Sequence, residues 1–384
     1  EYQQQLAAAG AAYRTAGVRY LYLMHGTFAG NDALGLFGEI ARFFPEVGES
    51  LRAIGKSTFD SIAGEVGNYT AEFAENLQTS LGSTDLQVRT PTKTALQKST
   101  YLEARRNGGI EVRRFNWSSE NHHIARADAA VALLDELSRL ELNDGDRILV
   151  WGHSHAGSVL ALVTNLLAAD AEDRRRFFHA CRSYYRWPNL RKIDLTRWPR
   201  VRDLLGRGEN ALLRTPLDIA TFGAPVRYGW DTDGCAKLMH VINHCAVDGC
   251  EEFCAPFPPA SESLLAGHGD LVQQLGIAGS DFSPGPIAWR AWRADRKLAK
   301  LLAPGLARRG LYSRLKPGWR LHADGQNLLF DYGPQEGTIA HHLFGHAVYT
   351  QQKWMAFHAQ QVAEAFYQEA NVSQASPSVE PINE

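Results

Sequence analysis

The sequence predicts an α/β fold, with a mostly parallel central sheet and helices on both faces. Three observations predict it. Short apolar, β-prone runs recur along the chain, each closed by turn residues. Helical patterns separate them, in the strand–helix–strand alternation that gives parallel sheets. The composition is globular, with 45% of 384 residues hydrophobic and 21% charged. That length accommodates a single domain over 1–384 with large insertions.

The formal net charge of −2 gives no global pull toward nucleic acid or an anionic surface. No apolar run reaches about 18 residues, so no transmembrane helix is expected. The opening EYQQQLAAAG lacks the basic-then-apolar pattern of a signal peptide. A soluble protein is expected, cytoplasmic or exported without a cleavable signal. Cys181 stands apart, while Cys235, Cys245, Cys250 and Cys254 crowd together without C-x2-C spacing. Free thiols, a local disulfide and a metal site all stay open.

Val18–Met24 is the first strand, followed at once by His25-Gly26-Thr27-Phe28. Gly26 permits a sharp backbone turn there. Residues 29–109 read as a helical insertion. Within Leu51–Leu81, Phe59, Ile62, Val66, Tyr69, Phe73 and Leu77 share one helical face, which suits a helix on the body of the fold or a lid. Residues 79–99 are polar and turn-rich. Ile110–Trp117 is the second strand. Ala125–Leu142 is the clearest amphipathic helix, and Asn143-Asp144-Gly145-Asp146 turns into the third strand, Ile148–Trp151.

That strand runs straight into Gly152-His153-Ser154-His155-Ala156-Gly157 and an apolar helix. Ser154 therefore occupies a sharp strand-to-helix turn, which small residues at Gly152 and Ala156 allow. Such a turn pushes the hydroxyl clear of the sheet. The His155 N–H sits at a helix start, where negative charge is favoured. Residues 170–214 form a segment dense in Arg, Phe, Tyr and Trp. It suits side chains snorkelling over the protein surface or a cap facing lipid headgroups.

Leu217–Ala220 leads into Thr221-Phe222-Gly223-Ala224-Pro225, and Lys237–His244 is the next strand. Residues 246–320 read as an irregular insertion, with Phe282–Arg320 decorating the surface. Leu328–Tyr332 is the last strand. A histidine group follows, His341, His342 and His346, then a closing helix over Trp354–Tyr367. Residues 371–384 are a polar tail.

Several of these motifs together resemble the α/β-hydrolase superfamily, and its lipases and esterases in particular. Gly152-His153-Ser154-His155-Ala156 resembles the nucleophile elbow Gly-x-Ser-x-Gly, with Ala156 in place of the final Gly and Gly157 one place later. A strand ending in His25-Gly26 resembles the segment that supplies an oxyanion hole. Thr221-Phe222-Gly223-Ala224-Pro225 resembles the strand end after the elbow helix in many lipases, and His346-Ala347-Val348-Tyr349 resembles the His-x-x-Tyr of some of them.

The resemblance implies Ser154 as nucleophile, with the oxyanion on the N–H of His155 and of Thr27 or Phe28. It implies an acid after the fifth strand: Asp270 is preferred, with Asp248 and then Asp231 as alternatives. The base would be His346, ahead of His342 and His341. No metal and no organic cofactor is required. The implied reaction is ester hydrolysis through an acyl-enzyme, on a lipid-like substrate, with possible peripheral membrane contact and no nucleic-acid partner. A small-molecule esterase or an acyltransferase would use the same residues. A non-catalytic lipid- or protein-binding module is the reading from another class.

Overall fold

In a computed structural model of the chain, the described residues are 1–26, 67–82, 109–186, 195–208, 210–225, 228–256, 268–278, 288–302, 318–335, 342 and 344–368. Six strands form a single sheet: β1 (Val18–Met24), β2 (Glu111–Phe115), β3 (Arg147–His153), β4 (Leu217–Phe222), β5 (Lys237–Asn243) and β6 (Gln326–Phe330). Their order is β2-β1-β3-β4-β5-β6, and every pairing is parallel. The protein is thus of the α/β class. The sixth strand begins and ends two residues earlier than its apolar run suggests, because Gln326 and Asn327 pair with Met239 and His240.

Around the sheet lie α1 (Tyr2–Thr15), α2 (Ala71–Gly82), α3 (His123–Leu137), α4 (Ala156–Ala168), α5 (Ala171–Tyr185), α6 (Arg197–Arg207), α7 (Leu271–Ala278), α8 (Trp289–Leu302) and α9 (Met355–Tyr367). Strand alternation divides the core in two. Ile148, Val150, Leu217 and Ile219 pack under α3, α4, α5, α6 and α8. Leu149, Trp151, Ala220 and Phe222 pack on the other side, under α1, α2 and α9.

Three elements differ from expectation, and a fourth lies where the sequence reading placed none. The amphipathic helix is α3, which begins and ends earlier than Ala125–Leu142 and is buried on nearly all sides. It lies between the sheet and α6 and α8, so even Arg126 and Asp135 are enclosed. Of the stripe in Leu51–Leu81, Phe59, Ile62 and Val66 lie outside the described residues. Tyr69, Phe73 and Leu77 are buried in the core, but the helix begins only at Ala71. The stretch 282–320 is not irregular throughout, since it contains α8. Finally, the N-terminal residues form α1. Gly10 lets it approach α2 closely: a Cβ there would stand 2.5 Å from the Leu81 carbonyl oxygen.

The described part of the basic-aromatic segment is folded into the body. Phe177, Phe178, Tyr184 and Trp198 are core residues. Arg174 donates to the carbonyls of Leu166, Leu167 and Leu205, and Arg200 makes a two-pronged contact with Asp135. These two guanidinium groups thus close a helix end and an ion pair. The five cysteines are free thiols. Among the described residues, no helix is long and apolar enough to cross a membrane, and no group of three His, Cys, Asp or Glu side chains is placed to hold a metal ion.

Candidate active site

The sheet order reverses at β1. From β1 the chain crosses to β2 on one side, then returns past β1 to β3. Connections leaving neighbouring strands in opposite directions open a crevice at the strand C-termini, the usual ligand position in open parallel sheets. The two strands flanking that point end in His25-Gly26 and His153-Ser154.

Ser154 takes φ +56°, one of three described non-glycine residues with positive φ. This left-handed conformation is strained for a residue bearing Cβ. It is held by backbone on both sides: the Ser154 N–H donates to Phe222 O at 2.9 Å, and its carbonyl accepts from Gly157 at 2.9 Å. The small neighbours let the turn close. A Cβ on Gly152 would lie 2.6 Å from Leu160 Cδ1, and one on Gly157 would lie 2.4 Å from Ala224 Cβ. Glycine at Gly26 is needed for the same reason, since a Cβ there would meet Ser154 Cβ at 2.4 Å and Oγ at 3.0 Å. Ser154 is 5% exposed. The next residue, His155, is the N-cap of α4, whose N-terminus favours negative charge beside the serine.

Across the strand ends lies a pair of residues far apart in sequence. His346 Nδ1–H donates to Asp270 Oδ2 at 2.7 Å, with both groups buried. Although a long connection separates Asp270 from β5, it returns to the strand's end. Its N–H donates to Asn243 O at 2.9 Å, and Gly269 bridges His244. Gly269 must be glycine, because its φ is +89° and a Cβ would lie 2.3 Å from Asn243 O. The other carboxylate oxygen, Asp270 Oδ1, accepts from Gln273 N at 2.8 Å.

His346 is fixed in turn. Its carbonyl faces His153 Nε2 at 3.1 Å, and the two rings lie 4.5 Å apart. The carbonyl of Gly345 accepts from Asn243 Nδ2 at 2.9 Å. The imidazole's remaining nitrogen, Nε2, is buried without a hydrogen-bond partner. Among the described residues, His346 Nε2 is therefore not hydrogen-bonded to Ser154.

No protein family, curated protein or solved structure matches this chain. The chemical reading of the cluster rests on its geometry. Of the residues singled out from sequence, Ser154, His155, Asp270 and His346 gather at the strand ends. Thr27 and Phe28 lie outside the described residues, as does His341. Asp248 is exposed, so it does not occupy the buried position beside His346. Asp231 caps a short turn by accepting from Asp233 N. His342 is buried, and the imidazole bonded to Asp270 is His346's.

Several further residues support the cluster. Ser119 has φ +62° and is buried; its hydroxyl donates to Gly26 O at 3.0 Å. His25 Nδ1 lies 3.0 Å from the same hydroxyl, and Trp117 Nε1 donates to His25 O at 2.8 Å. These three residues clamp Gly26 against Ser154. On the acid side, Arg320 is fully buried and donates to the carbonyls of Asp270 and His268, each at 2.6 Å. Burial lowers its pKa, opposed by the charge of Asp270. Tyr349 accepts from Asn243 N at 2.7 Å and packs against Gly223. Burial first, and then Asp270, push its phenol well above the ordinary range. Burial, reinforced by His346, holds His153 well below the usual imidazole range. His153 is thus a neutral wall beside His346. Of these residues Tyr349 carried a signal through its spacing from His346, and His25 and His153 through the short motifs around Gly26 and Ser154.

Proposed function

We propose that this chain is a serine hydrolase of the α/β-hydrolase superfamily, cleaving carboxylic esters of lipid-like substrates through an acyl-enzyme. One observation carries the proposal: the buried His346–Asp270 hydrogen bond beside the strained turn that holds Ser154. A buried imidazole oriented by a carboxylate, with its second nitrogen unspent, is what a serine needs to become a nucleophile.

In the proposed reaction Ser154 Oγ attacks the ester carbonyl while His346 Nε2 takes its proton. Asp270 keeps the proton on Nδ1 and stabilises the imidazolium as it forms. The carbonyl oxygen becomes negative at the α4 N-terminus, where the His155 N–H is the expected donor. His346 then returns the proton to the leaving alcohol. Water, activated by the same imidazole, frees the acid and restores Ser154.

The test is covalent. A fluorophosphonate probe should label the chain, and the modified peptide should contain Ser154. Ser154→Ala should lose both the labelling and the hydrolysis of p-nitrophenyl esters. Labelling that persists in Ser154→Ala would sink the assignment. Activity that rises with acyl-chain length and on micelles favours the lipid-like substrate over small soluble esters.

A further inference from the structure

Among the described residues only three large apolar side chains are exposed, and two of them share one helix: Trp289 at 46% and Trp292 at 42%. Both lie on α8, which has two unlike faces. Ala291, Ala294, Asp295 and Leu298 are buried. Trp289, Trp292, Arg293, Arg296 and Lys300 are exposed. The one acid of the helix, Asp295, points inward, where its Oδ1 accepts from Ile124 N at 3.1 Å. Every charge that α8 presents outward is therefore positive. The neighbouring α5 extends the field with exposed Arg182 and, just beyond it, Arg186. The acids of α5, Glu172 and Asp173, stand at its opposite end and are paired with Arg175 and Arg176.

We propose that the outer face of α8 is a docking surface for an anionic phospholipid bilayer. Indole rings settle at headgroup depth, and clustered arginine and lysine are drawn to an anionic leaflet. The pattern here is that of an interfacial helix already held rigid by the protein beneath it. A chain of net charge −2 has no overall attraction to such a surface, so the attraction is local to this patch.

Single-stranded nucleic acid also binds basic and aromatic residues, but it stacks bases on open ring faces. Here each indole already carries a guanidinium, Arg290 at 5.9 Å from the Trp289 centroid and Arg296 at 5.4 Å from that of Trp292. Edge-on insertion into a headgroup layer needs no open face. Asp295 also ties α8 to Ile124, at the start of α3, so the helix is held in place beneath such a surface. The inference concerns binding and stands whether or not Ser154 is a nucleophile.

The experiment is vesicle co-sedimentation of the full chain, in a Ser154→Ala background so that hydrolysis cannot alter the lipid. Vesicles are phosphatidylcholine alone, or an equimolar mixture with phosphatidylglycerol. Binding to the mixed vesicles is expected to exceed binding to phosphatidylcholine, and to weaken as salt is added. W289A/W292A and R293E/R296E, checked by thermal melts, should each reduce partitioning by roughly tenfold or more. If the tryptophan pair fails to fold, the charge reversal decides the matter alone. Equal binding to both vesicle types, no binding at all, or unchanged binding by the folded variants overturns the proposal. So does tighter binding to a single-stranded oligonucleotide than to the anionic vesicles.

Discussion

The two halves of the candidate active site are built in opposite ways. The Ser154 half is mainly contiguous chain, one strand, one turn and one helix, closed from outside by Gly26 and by the carbonyl of Phe222. Its fit is steric, since Gly26, Gly152 and Gly157 each stand where a Cβ would collide. The Asp270–His346 half is assembled from separate loops, after β5 and after β6. Its fit is polar, through Asn243, Gln273, Arg320 and Tyr349. The difference teaches where each half is fragile. A sterically built turn tolerates loss of a polar neighbour but not an added methyl group. A hydrogen-bonded assembly fails when one partner is removed, because the other is left buried and unpaired.

The sharpest way to break the comparison is through the acid. Asp270→Asn keeps the shape of the polar half but reverses the preference for a proton on His346 Nδ1. Ester hydrolysis is expected to fall about ten-thousandfold in kcat. The double variant with Ser154→Ala should be no slower than Ser154→Ala alone, because residues acting as one unit do not add. Additive losses would show that the two halves work independently.

A smaller effect is expected at the clamp on Gly26. Ser119→Ala removes the hydroxyl's contacts with Gly26 O and His25 Nδ1, each worth about 1 kcal/mol, so kcat should fall by roughly tenfold with KM little changed. Ser119→Gly, which relieves the positive φ but also lacks the hydroxyl, should lose the same activity while melting higher than Ser119→Ala. If Ser119→Gly keeps full activity, the clamp has no role in positioning Gly26.

A last effect, on stability and not on the candidate chemistry, concerns the acid side of neutrality. His358, fully buried on α9 and paired with Tyr332 OH at 2.8 Å, is pushed down to about 3 by burial, from an ordinary value of 6.5. Between those values the unfolded chain binds a proton that the folded chain refuses. The stability His358 contributes is therefore complete above pH ~6.5 and drains away as pH falls toward about 3, by up to about 1.4 kcal/mol per pH unit. Urea titrations of His358→Gln at pH 7 and at pH ~4.5 should show a smaller acid loss than the parent. An unchanged acid loss would show that His358 is not protonated on unfolding.

Much of the sheet was legible in the sequence because a buried parallel strand is written locally, as in Val18–Met24 and Lys237–Asn243. The Ser154 turn was legible for the same reason: its small residues, its preceding strand and its following helix are neighbours in the chain. Helix edges were less legible. The Ala125–Leu142 pattern resembled a surface helix, yet α3 is covered on its outer side by α6 and α8, which no local pattern announces. The outward tryptophans of α8 were hidden in a stretch read as irregular, because its buried face is short and uses alanine.

What the sequence determined by itself is the class of fold and the place of Ser154, since period, apolar runs and turn residues act over a few positions. The sequence ranked Asp270 and His346 first but left Asp248, His342 and His341 open; tertiary structure decided which imidazole is bonded to Asp270, that of His346. That choice depends on hydrogen bonds between loops far apart in the chain, which have no local period. It also decided that Ser119, Trp117 and Arg320 serve the site, because their partners are backbone atoms that leave no mark in side-chain spacing.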